Sequence, residues 1–193
     1  MGTLTVALYG ISGKVAFGRE PRLLEMSVWE GAIPLLPWTV WIYSSVYFIY
    51  LASCALQRDE KQYRQFLSGY VFAYALSGIF FVLYPTTFPR EQFPLSLEAP
   101  SFTEYFFLWF RTIDLPTNCL PSMHVGSCVM STLPFYKRRP RVFILFSIWS
   151  IAIVATTLTT KQHYFVDLIA GAGFGAFTHL LFSRFIPSRY FTI

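Results

Sequence analysis

Charge is scarce in this chain: 13% of its 193 residues are Asp, Glu, Lys or Arg, against 54% apolar and 20% aromatic. That balance leaves too little polar surface to cover a soluble domain of this size. Cysteine is scarce too and odd in number (Cys54, Cys119 and Cys128), so no closed disulfide framework is expected, and Cys54 and Cys128 lie in apolar segments where a thiol acts as a small hydrophobe. No internal repeat, low-complexity tract or linker divides the chain. A cleavable secretory signal is not expected, because no basic residue precedes the apolar stretch 3–17 and no small-residue cleavage site closes it.

Long apolar runs are present in its place. Crossing about 30 Å of hydrocarbon takes roughly 20 mostly apolar residues. Residues 33–56, 66–84 and 142–158 carry no charge, and 164–182 carries one acid near its start and one histidine near its end. Residues 125–136 are short alone but lengthen once the turn at Ser122 is included. These segments predict an all-α membrane protein, a polytopic bundle of five to six transmembrane helices. Residues 3–17 are interrupted by Gly10, Gly13 and Lys14 and followed by Glu20, Glu25 and Glu30, so residues 1–29 are expected to form an interfacial or half-inserted helix ahead of a catalytic domain at 30–193.

The net charge of +5 does not point to nucleic acid, because the basic residues are arranged as a topology signal. If the spans alternate, the links 57–65 and 137–141 and the C-terminal tail share one side, with Arg58, Lys61, Arg64, Lys137, Arg138, Arg139, Arg141, Arg184 and Arg189. That side is expected to be cytoplasmic. The protein would then sit in a cell inner membrane or an endomembrane, with the N-terminal region, 85–121 and 159–163 facing the periplasm, exterior or lumen. Prolines at 85, 89, 94, 100 and 116 keep the long loop from forming one helix. Within it, Phe102, Phe106, Trp109, Phe110 and Ile113 recur at helical spacing, which fits either a lid packed on the bundle or an amphipathic gate at the headgroups.

On that same side the sequence concentrates residues suited to phosphoryl chemistry. His163 and Asp167 are four apart, on one helical face, so the carboxylate can fix the imidazole tautomer and leave the other nitrogen free as a nucleophile or base. A structural pairing of a buried histidine with an acid reads equally well from these two alone. Pro121 and Ser122 start a helix whose amino end, with Met123, offers backbone N–H groups to an anion. His124 is then placed to protonate a leaving oxygen. Arg90 and Lys161 are the candidate phosphate-neutralising cations, Arg90 first because a guanidinium fork suits phosphate oxygens.

These motifs resemble the type 2 phosphatidic acid phosphatase (PAP2) superfamily, which shares its core with vanadium haloperoxidases. The family's second motif, Pro-Ser-Gly-His, reads here Pro121-Ser122-Met123-His124. Its third ends His-x-x-x-Asp, here His163 to Asp167. The resemblance covers roughly residues 30 to 183 and implies that His163 becomes a phosphohistidine, Asp167 orients it and His124 is the general acid. The sequence departs from the family in lacking the first motif, Lys then six residues then Arg-Pro, and in having Thr157 where an arginine is expected. The pattern is more similar to the branch containing inositol phosphorylceramide synthase, through Tyr84-Pro85-Thr86-Thr87-Phe88-Pro89-Arg90, Asn118, His163-Tyr164 and the acid at Glu30 ahead of Ile33-Pro34. By that likeness Tyr84, Asn118 and Tyr164 join the candidate site residues.

Other signals carry less. The Gly-x-Gly-x-x-Ala string at 171–176 follows no strand and is read as a small-residue packing face, not a dinucleotide fingerprint. His179 lies three turns beyond Asp167 and reads as packing or interfacial solvation. His124, His163 and Asp167 lack the fourth ligand and close spacing of a metal site, so no metal and no cofactor is expected. The leading functional expectation is a lipid phosphatase acting on a lipid phosphate or pyrophosphate. The alternatives are transfer of a phosphate-bearing headgroup to a lipid or alcohol, as in inositol phosphorylceramide or sphingomyelin synthases, and a non-catalytic lipid-binding protein. A phosphate-bearing membrane lipid is the expected partner, nucleic acid is not, and homo-oligomerisation stays open.

Overall fold

The structure is a computed structural model and describes residues 10–13, 15–16, 18–95 and 100–185. It is mostly helical. The described helices are α1 (Val28–Ala32), α2 (Val40–Ser44), α3 (Val46–Ala55), α4 (Glu60–Leu83), α5 (Phe102–Ile113), α6 (Met123–Thr132), α7 (Pro140–Thr159) and α8 (Phe165–Leu180). Two two-residue strands, β1 (Arg22–Leu23) and β2 (Thr86–Thr87), pair in parallel, and Thr86 also bridges to Asn118. This small ladder is a departure from a purely helical expectation. It ties the N-terminal segment to the two loops that carry the site.

Three helices are long and apolar enough to cross a membrane: Glu60–Leu83, Pro140–Thr159 and Phe165–Arg184, the last including one π turn after α8. Their outward faces are apolar, with Ile79 and Leu83 on α4, Leu145, Ile148 and Ile151 on α7, and Ile169 and Phe177 on α8 exposed. Bands of this kind are unfavourable in water and suit acyl chains. α4 begins six residues before the charge-free run because Asp59 caps it, accepting from the Gln62 amide at 2.8 Å, and Glu60 pairs with Arg64 at 2.5 Å.

The two remaining expected spans are shorter. Residues 33–56 form no single helix: a 3-10 turn at Pro37–Thr39 leads into α2, and Ser45 separates α2 from α3. The Ser45 hydroxyl bonds back to the Ile42 carbonyl at 2.6 Å and accepts from the Trp149 indole at 2.8 Å, a local bond that competes with the helical ladder. α6 has ten residues and ends in a 3-10 turn at Leu133–Phe135.

α6 is the axis of the bundle, packed by α3, α4, α7 and α8 and buried at every residue but Val129. Its serines are satisfied across helices: Tyr70 donates to the Ser127 carbonyl at 2.8 Å, Tyr74 meets the Ser127 hydroxyl at 3.0 Å, and Ser53 donates to the Ser131 carbonyl at 3.0 Å. α8 crosses α6 at backbone contact. A Cβ on Gly171 would collide with the Ser122 carbonyl, and one on Gly175 would lie 2.6 Å from that of Gly126. The expected small-residue face at 171–176 therefore packs on α6.

α5 forms over the expected residues, started by a Ser101/Glu104 capping box. Its apolar stripe divides. Phe107 and Phe110 are buried against Val40 and Tyr43, and Phe106 stacks on Trp41 at 4.2 Å, whereas Phe102, Tyr105, Trp109 and Ile113 face outward. Of the expected interfacial helix, residues 3–9, 14 and 17 lie outside the described residues; 10–13, 15 and 16 are helical, and the Gly13 carbonyl accepts from Thr117 at 3.2 Å. Arg189 also lies outside them.

Candidate active site

His163 sits in the turn between α7 and α8, 5% exposed, with Asp167 fully buried one turn on. Its Nδ1 lies 3.1 Å from the Cys119 carbonyl oxygen and 3.4 Å from Asp167 Oδ2. Two acceptors at one nitrogen place the proton on Nδ1 and leave Nε2 with its lone pair. The nearer acceptor is the backbone carbonyl, which the sequence did not anticipate. Asp167 Oδ2 is shared: it accepts the Tyr164 amide at 2.8 Å, closing the first turn of α8, while its Oδ1 is buried without a partner. The position of the carboxylate is thus set by the helix start it caps.

His124 lies in the first turn of α6, 6% exposed, its ring centroid 5.9 Å from that of His163. Ser122 caps this helix by accepting from the Val125 amide at 3.4 Å, and its own amide donates to the Asp167 carbonyl at 3.1 Å, joining the two histidine-bearing segments by main chain. Met123 and His124 head the helix, where backbone N–H groups have no intrahelical acceptor and favour an anion.

Two residues absent from the sequence reasoning complete this side. Tyr43 of α2, fully buried, stacks on the His124 ring at 4.1 Å and donates its hydroxyl to Asp114 Oδ2 at 2.6 Å, while its oxygen lies 3.1 Å from His124 Nδ1. Asp114 closes α5. Burial opposes its ionisation, but the charges of His124 and Arg90 and the Tyr43 hydroxyl bond outweigh burial and hold the carboxyl below its ordinary value.

Arg90 reaches this end of the molecule, its Nη1 donating to the Asp114 carbonyl at 2.8 Å. Arg111, which the sequence reasoning did not select, brings a second guanidinium: its Nη2 donates to the Thr160 carbonyl at 3.4 Å, and its charge lies over the Phe107 ring. Both arginines keep a buried Nε without a partner. Burial first and the neighbouring Arg90 second push the Arg111 guanidinium down to about 10. Thr157, at the position of the family's arginine, is fully buried and bonds back to the Val154 carbonyl at 2.7 Å.

The remaining candidates each have partners of their own, and Tyr164 lies in one buried cluster with Cys119. The Lys161 ammonium donates to the Glu30 carbonyl at 2.8 Å and lies over the Phe93 ring, so it joins the N-terminal segment and the loop after β2. Glu30 in turn accepts the Phe165 amide at 2.6 Å, adding an acid to the amino end of α8. Tyr84 carries the Arg22 guanidinium over its ring. Tyr164 packs on Phe88 and donates to the Thr87 carbonyl at 3.1 Å. Asn118 is buried beside Gly13 with Oδ1 unpartnered. His179, near the far end of α8, is about 18 Å along the helix from Asp167. Among the described residues, Cys119, His163 and Asp167 form one group with metal-ligand spacing. Burial and the Asp167 charge push the Cys119 thiol well up.

A buried imidazole pair, one ring beside a carboxylate and the other heading a helix, with two arginines at the same end, is chemistry suited to handling a phosphoryl group. The chain matches the PAP2 superfamily over residues 21–181 and belongs to it. No curated protein sequence matches the chain. Membership brings phosphatase or phosphotransferase chemistry to a chain with three membrane-length apolar helices.

Proposed function

We propose that this protein is a membrane-embedded lipid phosphatase that removes phosphate from a lipid phosphate or pyrophosphate through a phosphohistidine at His163. The observation that carries the reading is the orientation of His163: Nδ1 is engaged by the Cys119 carbonyl and Asp167, so Nε2 holds the lone pair that attacks phosphorus. As the P–N bond forms, the P–O bond to the lipid breaks and His124 supplies the proton to the departing oxygen. Water then attacks the phosphohistidine, giving its proton to His124, and free phosphate leaves. The α6 amino end, with Ser122 and Met123, and the guanidiniums of Arg90 and Arg111 neutralise the phosphoryl oxygens.

In this reading α2 and α3 act as one broken span and α6 as a buried central span, giving five crossings with the site at the non-cytoplasmic headgroup level. The outward Phe102, Tyr105 and Trp109 of α5 sit where aromatic rings favour the interface. The same chemistry with a hydroxyl acceptor in place of water yields a phosphotransferase of the inositol phosphorylceramide synthase kind, which the motif at 84–90 favours. The test is to incubate the purified protein in detergent with EDTA and a panel of lipid phosphates and pyrophosphates, following inorganic phosphate and lipid products by mass. Phosphate release is expected; a new phospholipid without phosphate release would make transfer the activity, and silence on every substrate, with or without acceptor, would sink both.

A further inference from the structure

We propose that Tyr43 and Asp114 form a hydrogen-bonded relay that fixes the tautomer of His124 and holds it ready as proton donor, making both positioning residues for the transfer. The inference rests on the phosphohistidine reading above. A tyrosine hydroxyl has one proton, and here it is directed to Asp114 Oδ2 at 2.6 Å. The oxygen therefore meets His124 Nδ1, 3.1 Å away, as an acceptor, and Nδ1 carries the ring proton. Nε2, buried without a hydrogen-bond partner, is left as the nitrogen that gains and loses a proton. The stacked Tyr43 ring, 4.1 Å away and 23° from parallel, keeps the imidazole from turning over.

The groups that face His124 come from four elements: Tyr43 from α2, Asp114 from the end of α5, His163 from the turn before α8 and Arg90 from the loop after β2. Asp114 alone among them is negative. A buried imidazolium beside Arg90 is unfavourable, and the carboxylate acting through the tyrosine oxygen is the one group among them that opposes that cost. In the first step the Nε2 proton passes to the leaving oxygen as the P–O bond breaks and His163 takes the phosphoryl. In the second, the proton of the attacking water returns to Nε2 as the P–N bond breaks. Both transfers use Nε2, and the relay keeps the other proton at Nδ1 throughout.

Tyr43→Phe keeps the stacked ring and removes only the hydroxyl. With an alkyl lipid phosphate, kcat is expected to fall about tenfold or more with KM little changed, and the basic limb of the pH profile to move to lower pH. With p-nitrophenyl phosphate, whose leaving group departs without a proton, the loss should be much smaller. Asp114→Asn should give the same pattern more weakly. Equal losses on both substrates with an unmoved pH limb would overturn the relay. A second measurement is independent of turnover: side-chain ¹⁵N NMR of the three histidines, with His124→Ala for assignment, at a pH where His124 is neutral. Wild type should show Nδ1 protonated and Nε2 bare, and Tyr43→Phe a mixture. A wild-type His124 protonated at Nε2 overturns the relay even if the protein turns over no phosphate, whereas full activity in His163→Ala would sink the phosphohistidine reading and leave the relay to the NMR result.

Discussion

At the scale of the residue, the site depends on which imidazole nitrogen is free. Asp167 and the Cys119 carbonyl share the His163 Nδ1 proton, so Asp167→Asn should keep the α8 cap through its amide oxygen yet lower kcat by about 10²-fold or more, checked by phosphate release at saturating substrate. Asp114 gives a pH prediction. Its folded value lies below the ordinary carboxylate value of about 3.9, so the folded state binds this proton less tightly than the unfolded chain does. The stability it contributes is fully present above about 3.9 and is lost as pH falls through the lower folded value. Asp114→Asn should flatten that acid-side loss in detergent melting curves; an unchanged acid limb would contradict it. His124, His163 and Asp167 were legible because ionisable groups in apolar surroundings stand out. Tyr43 was not, since nothing in a charge-free run marks a tyrosine that meets an aspartate 71 positions away. Lys161 was legible as a cation on the right side of the molecule, but the Glu30 carbonyl that takes its ammonium could not be foreseen from spacing.

At the scale of the element, the position of His124 depends on how closely α8 approaches α6. Gly175→Ala would place a methyl 2.6 Å from the Gly126 carbonyl, and backbone there cannot step aside cheaply. It should destabilise the folded protein by about 1–3 kcal/mol and lower Tm. Gly173→Ala, with nothing within 4 Å, should leave stability unchanged or raise it by up to about 1 kcal/mol. Equal effects of the two would show that the α6–α8 crossing is looser than described. α5 was legible because its apolar residues recur at helical spacing, and the Ser101/Glu104 capping box starts the helix at the same place. The break at Ser45 was not, because a serine inside an apolar run gives no sign that it will bond to its own chain. The central position of α6 was hidden for another reason: apolarity alone does not separate a helix that faces lipid from one that faces protein.

At the scale of the whole molecule, the bundle holds α6 at its centre; at one end β1, β2 and Asn118 tie the N-terminal segment to the chain around α5, and His163 and Lys161 join the turn before α8 to Cys119 and Glu30. Cysteines introduced singly at Lys137 and at Glu91 should label from opposite sides of sealed vesicles with a membrane-impermeant maleimide; labelling from the same side would contradict the five-crossing reading. The central claim is the covalent intermediate at His163. The most direct measurement is to mix protein with substrate, quench within the turnover time under conditions that preserve phosphohistidine, and locate the phosphoryl group by peptide mass spectrometry. The account predicts an acid-labile adduct on the peptide bearing His163, absent in His163→Ala. Turnover with no adduct at His163, or an adduct on His124 instead, would contradict it.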